Sequence, residues 1–278
     1  MSWFKKKTSK SELSIAVEKM VSSPSVENQK NFASVISTYV EKEIWVPIPI
    51  HQDEKGYRLK IIESRGKHYA AMCSDEAEVK KDSEFNVAVT DINKLIEPVF
   101  QNEYIDGIVI NPYTTFLCLD KEFILKCLLH AKYPKQRIMG SYPRNWGEGI
   151  PSYNKNDLMT QGEIQNFALH SVLENDKNIA ENFSFISACD YPSAMPSIIL
   201  RSENKFAFVY IKGYASLTEP VLNVQEKNEL IALGEKYNAE TYFATVGFLS
   251  TDPARLEAEL TLRGDGFYCK YEGLQKVE

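Results

Sequence analysis

The sequence predicts an α+β fold in two domains, each a mixed β-sheet packed with helices. Three observations carry this reading. The 278 residues exceed one average domain. Short β-branched runs recur beside segments of helical period in both halves. Between the halves, Pro134, Gly140, Pro143, Gly147, Gly149 and Pro151 punctuate a stretch with no lasting periodicity. The boundaries follow: residues 1–24 as a flexible N-terminal segment, 25–132 as the first domain, 133–160 as a linker, and 161–278 as a C-terminal α/β domain.

Composition narrows the class. Hydrophobic residues make up 44% and charged residues 25%, which argues against disorder and against a membrane-embedded chain. A net charge of -6 opposes general nucleic-acid binding, because phosphate affinity comes from Lys and Arg. The five cysteines are an odd set without paired short spacing, unlike a disulfide framework. No run of about 18 apolar residues exists to span a bilayer, and no apolar region follows the basic Lys5-Lys6-Lys7 segment as in a secretion signal. A cytoplasmic protein is expected.

From Ser25 to Glu43, Phe32, Val35, Ile36, Tyr39 and Val40 share one helical face. Ile44 to Ile48 is extended, and Pro47 and Pro49 suit it to a sheet edge. Tyr57–Glu63 and Lys67–Met72 flank Gly66 as a hairpin, and Asp75–Lys81 is a short helix. Asn86–Thr90 is a strand, after which Asp91 caps a helix carrying Ile92, Leu95, Ile96 and Val99 inward.

The densest local code lies between Tyr104 and Leu125. Gly107–Ile110 is a strand, Asn111-Pro112 breaks it, Thr115–Leu119 resumes it, and Asp120 caps a helix with Phe123, Ile124, Cys127 and Leu128 at helical spacing. Ile108, Ile110, Phe116, Leu119, Phe123 and Ile124 are expected to converge in the core. The order Asp106-Gly107-Ile108-Val109-Ile110-Asn111-Pro112, an apolar strand, then Asp120-Lys121-Glu122 opening a helix resembles the N-terminal domain of the SseB-like family. Lys67 to Ala77 is similar to that family's strand-to-helix step, with Met72-Cys73 replacing its aromatic and Thr. The resemblance covers about residues 25–132 and implies a module known by fold and association, with no catalytic residues to carry over.

In the second half, Gln161–Asn175 is a helix with Ile164, Phe167, Ala168, Ser171 and Val172 on one face. Strands follow at Phe183–Cys189, Ser197–Arg201 and Phe206–Lys212. Val224–Tyr237 is a helix, Thr241–Phe248 a strand, Pro253–Arg263 a helix capped by Asp252, and Phe267–Tyr271 a closing strand.

Pro196-Ser197 opening a strand, with Tyr210-Ile211-Lys212 on its hairpin partner, resembles the core of restriction-endonuclease-like nucleases. Such enzymes hold Mg²⁺ between an Asp and a Glu on adjacent strands, beside a Lys. Here Ser197 and Tyr210 stand where the carboxylates belong, and only Lys212 remains. A nuclease would need Asp190 and Glu163 to supply the missing charges.

Cys127 and His130 share a helix face as a metal pair would, but Cys127 belongs to an apolar stripe, so core packing is expected. No Gly-x-Gly-x-x-Gly, Walker A or Gly-x-Ser-x-Gly pattern occurs, so no cofactor is expected. Tyr142, Trp146 and Tyr153 in the linker form a candidate interaction surface.

The leading reading is a non-enzymatic cytoplasmic binding or adaptor protein with a protein partner. The alternative is a divergent metal-dependent nuclease in the second half. Limited proteolysis should cut first between Tyr133 and Gly162 and leave two stable fragments. First cuts inside either half would refute the division.

Overall fold

The computed structural model describes residues 10–49, 59–79, 85–133, 158–203, 205–259 and 261–278. Helices and mixed sheets give an α+β class, and the backbone groups into two compact units, Met1–Lys132 and Tyr133–Glu278.

The first unit opens with α1 (Glu12–Ser22), capped by the Ser11 side chain, which accepts from the Ser14 N–H. Leu13, Ala16 and Val17 are buried, and Ser11 Oγ donates to Ser74 O at 3.1 Å. The expectation of a flexible segment over these residues is therefore corrected. Their i, i+3, i+4 apolar spacing is a helical core signal.

α2 (Val26–Thr38) is capped by Ser25 and buries Phe32 and Ile36. β1 (Glu43–Pro49) precedes the hairpin of β2 (Ile61–Ser64) and β3 (Lys67–Met72). Arg65 and Gly66 turn that hairpin at φ 53° and 74°, a two-residue loop with both residues left-handed. α3 (Glu76–Val79), β4 (Phe85–Asp91), α4 (Ile92–Gln101), β5 (Gly107–Ile110), β6 (Leu117–Asp120) and α5 (Lys121–Leu125) follow, and a π-helical turn (Lys126–His130) continues α5. The sheet order is β2-β3-β5-β6, with β3 and β5 parallel, and β1 pairs antiparallel with β4. β1 is not an edge throughout: Trp45 and Cys73 exchange backbone hydrogen bonds at 3.2 and 2.7 Å on its other side. Its prolines lie past that bridge.

Ile108, Ile110, Leu119 and Ile124 are buried as expected, and Phe123 stacks on Phe32 with ring centroids 6.1 Å apart. Phe116 departs from the expectation. It is 40% exposed at φ 48°, because the strand resumes only at Leu117 and Phe116 belongs to the turn. That turn closes on Asn111, whose carbonyl accepts the Phe116 N–H at 3.0 Å.

In the second unit, α6 (Gln161–Asn175), α7 (Lys177–Asn182), β7 (Ser184–Ala188), β8 (Ile198–Arg201), β9 (Phe206–Tyr214), α8 (Val224–Tyr237), β10 (Ala239–Ser250), α9 (Pro253–Glu257), β11 (Phe267–Tyr271) and β12 (Gln275–Lys276) follow in order. The sheet runs β11-β10-β9-β8-β7, with β12 also on β10. β7, β8 and β9 are successively antiparallel, and the crossover through α8 makes β9 and β10 parallel. α9 is shorter than the predicted 253–263. Glu259 turns left-handed at φ 52°, and the chain returns so that Thr261 O accepts the Met159 N–H at 2.9 Å and Leu262 bridges Leu158. Leu158 to Thr160, expected within the linker, thus pair inside this unit. Among the described residues no helix is long and apolar enough to cross a membrane.

Phe116→Ala should cost under about 1 kcal/mol in urea unfolding, against about 3–5 for a buried aromatic, and Phe116→Gly should be neutral or stabilising at its left-handed φ. Asn111→Ala should cost about 1–3 kcal/mol, because the buried Ser74 N–H then loses its acceptor.

Candidate functional site

The parity of β9 sorts the candidate residues. Ala207, Val209 and Ile211 join the core cluster with Ile164, Ala168 and Val172 of α6. Gly213 continues that face, and a Cβ there would come within 2.9 Å of Ile164 O, so only glycine lets α6 approach this closely. Gln165 fixes the contact, donating to Ile211 O at 2.8 Å and accepting the Gly213 N–H at 3.0 Å. Phe208, Tyr210, Lys212 and Tyr214 therefore face the opposite side, where Phe208 meets Tyr237 of α8 edge-on.

Glu163 lies on the α6 side. It is 5% exposed and forms a bidentate pair with Arg263, Nε to Oε1 and Nη2 to Oε2 both at 2.8 Å. It also closes a capping box with Thr160. Burial alone would raise its pKa, but the Arg263 guanidinium and the Thr160 hydrogen bonds outweigh it and hold the carboxyl below its ordinary value.

Lys212 lies on the α8 side. Its Nζ donates to Glu226 Oε2 at 2.6 Å and to Val221 O at 3.0 Å, and Tyr210 Oη donates to Glu226 Oε1 at 3.3 Å. Burial, then the Glu226 charge, pushes the Tyr210 phenol well above its usual range. Glu226 itself is held low: burial opposes its charge, but Lys212 and the Asn223 N–H favour it more.

Ser197 is fully buried. Its Oγ donates to Ala194 O at 3.1 Å and accepts the Ile211 N–H at 3.0 Å, so it fastens β8 to β9. Asp190 is half-buried in the segment joining β7 to β8. Tyr133 stacks on Tyr191 with centroids 5.3 Å apart and accepts the Met195 N–H at 3.4 Å. Tyr142, Trp146 and Tyr153 lie outside the described residues.

The structure thus separates Glu163 from Lys212 by the thickness of the sheet. It places at Lys212 a carboxylate that sequence spacing did not nominate, Glu226. The available signal was the Asn223-x-x-Glu226 capping pattern, which puts an acid in the first turn of α8. Among the described residues no group of three or more His, Cys, Asp or Glu could hold a metal ion. Cys127 and His130 are both buried, and burial pushes the Cys127 thiol up to about 12, so it stays a protonated core residue.

A family described as a domain of unknown function (DUF8840) matches residues 162–277. No curated protein and no solved structure matches the chain.

Glu163→Gln should destabilise the chain by about 3–5 kcal/mol in urea unfolding, because it leaves the Arg263 charge buried and unpaired. The unfolded chain binds a proton at Glu163 more readily than the folded one. The wild type should therefore hold this contribution above about pH 5 and lose it as pH falls through the depressed folded pKa, and the variant should lack that part of the acid dependence.

Proposed function

We propose that this chain is a non-enzymatic binding or adaptor protein, SseB-like in its first half, that works in the cytoplasm with a protein partner. The observation that carries the reading is the engagement of four of the five positions a metal nuclease would use, Asp190 being the fifth. Glu163 is locked to Arg263, Ser197 is a buried link between strands, and Tyr210 and Lys212 both hold Glu226. An acid already closed on an arginine has its charge engaged, and a neutral serine whose hydroxyl already donates and accepts brings none for a hard cation.

The binding half of the proposal draws on the segment between β9 and α8 and on the first residue of α8. Leu217, Val221 and Val224 fall within eight residues, and each is more than half exposed. Exposed apolar side chains gathered on one segment suit a docking surface better than a solvated loop.

A second reading, a divergent nuclease, draws on two observations. The element order α6, α7, three antiparallel strands, α8 and a parallel strand surrounds the Pro196-Ser197 and Tyr210-Ile211-Lys212 fragments, and Glu226 brings one carboxylate to Lys212.

Incubation of the purified chain with DNA or RNA and Mg²⁺ or Mn²⁺ should give no cleavage. Cleavage abolished by Lys212→Ala or Glu226→Gln would establish the nuclease. In parallel, Val221→Asp should release a protein that co-purifies with the wild type from the native cell at low salt. Retention of every co-purifying protein by the variant would remove this segment from the interface.

A further inference from the structure

The segment between β9 and α8 does more than connect them. It crosses the face of the sheet that carries Lys212 and Tyr214, and it is pinned there through Glu219. Thr245 Oγ1 of β10 donates to Glu219 Oε1 at 2.5 Å, and Lys270 Nζ of β11 contacts Glu219 Oε2 at 2.5 Å. The Tyr214 ring of β9 lies over Gly247, where a Cβ would come within 2.7 Å of its hydroxyl. Donors from two adjacent strands therefore converge on one carboxylate, each of its oxygens held by a different group. The strand register makes this a built feature, because Lys212 pairs with Thr245, Tyr214 with Gly247, and Gly247 with Lys270.

We propose that Lys270 and Thr245 form a carboxylate-binding site on the C-terminal sheet, which Glu219 of the same chain occupies until an acidic side chain of a partner displaces it. Three features favour displacement over a fixed structural bond. Glu219 is carried by a segment with no helix or strand of its own. Its side chain is 33% exposed and that of Lys270 is 45% exposed, and ion pairs at such exposure contribute little to stability. Lys270 also lies 3.5 Å from Glu272, so its charge is already shared between two carboxylates. Two donors, one to each oxygen of Glu219, match the two acceptor oxygens of a carboxylate. The exposed Leu217 and Val221 flank Glu219 in sequence, so a segment with an acidic residue beside apolar ones is the complementary occupant. Only the identity of the displacing group rests on the binding-protein reading, since the site itself is testable with a small anion.

The test is chemical rescue in the full-length chain. In Glu219→Gly the carboxylate held by Thr245 and Lys270 is removed, leaving Lys270 with Glu272 alone. Sodium acetate should then raise the melting temperature saturably, over sodium chloride at equal ionic strength, by about 2–4 °C more than it does for the wild type. The wild type should show only the non-saturating gain that an excluded salt gives any folded chain, and Lys270→Ala in the Glu219→Gly background should return the acetate effect to that level. Glu219→Ser carries the same comparison should glycine at this position prevent folding. No acetate gain beyond that of the wild type, or one that survives Lys270→Ala, would overturn the site. A Lys270-dependent rise with inorganic phosphate larger than that with acetate, each taken beyond the wild type's response to the same salt, would overturn its assignment to carboxylates. None of these outcomes depends on the nuclease assay or on a co-purifying protein, so this site and the adaptor reading can fail separately.

Discussion

Because side chains alternate across a strand, the seating of β9 against α6 decides where every chemical group of the C-terminal unit can act. Gly213 and the two hydrogen bonds from Gln165 fix that seating. Once Ile211 is committed to the α6 core, Lys212 must face α8, and no rotamer returns it to Glu163. A shift of one residue would send Ile211 to the polar row and Lys212 into the apolar cluster, burying an ammonium among Ile164, Ala168 and Val172. The separation of the sequence candidates is therefore a consequence of core packing.

Three carboxylates of this unit illustrate how burial grades an ion pair. Glu163 is nearly sealed, and its bidentate arginine and capping bonds supply the hydrogen bonding that a desolvated charge requires. Glu226 is intermediate: it caps α8 through the Asn223 N–H and holds both Tyr210 and Lys212. Glu219 is the most exposed of the three and sits on an irregular segment. The same functional group thus serves as an interior brace, a helix-start anchor and a surface latch. Solvent access sets which of these roles tolerates exchange.

Local codes were legible in the sequence, and long-range pairings were not. Asp91 and Asp120 cap as their positions imply, and α8 and β11 begin and end where the pattern puts them. Such features depend on neighbours within one helical turn or one strand. The Glu163–Arg263 pair joins residues one hundred positions apart, and nothing in either neighbourhood marks it. Phe116 was misplaced for a related reason: its hydrophobicity suggested a strand, but the turn that presents it outward is set by the Asn111 carbonyl five residues earlier. α9 stops early because Thr261 and Leu262 answer to Met159 and Leu158, partners that no local pattern names.

The polar residues and the glycine between Asp106 and Asp120 are engaged in holding a fold. Asp106 accepts the His68 N–H at 2.7 Å and so ties β5 to the start of β3. Gly107 pairs with Asp120 so closely that a Cβ would lie 1.9 Å from Leu119 O. Asn111, buried at φ 51°, accepts from Ser74 N at 2.8 Å, and so links the ends of the parallel strands β3 and β5. Asp120 accepts the Phe123 N–H at 2.7 Å to start α5. Each of these residues is consumed by a backbone requirement: a capped helix, a close strand contact, or a donor that would otherwise be buried without a partner. Residues spent in this way specify a fold and leave function to be decided by others.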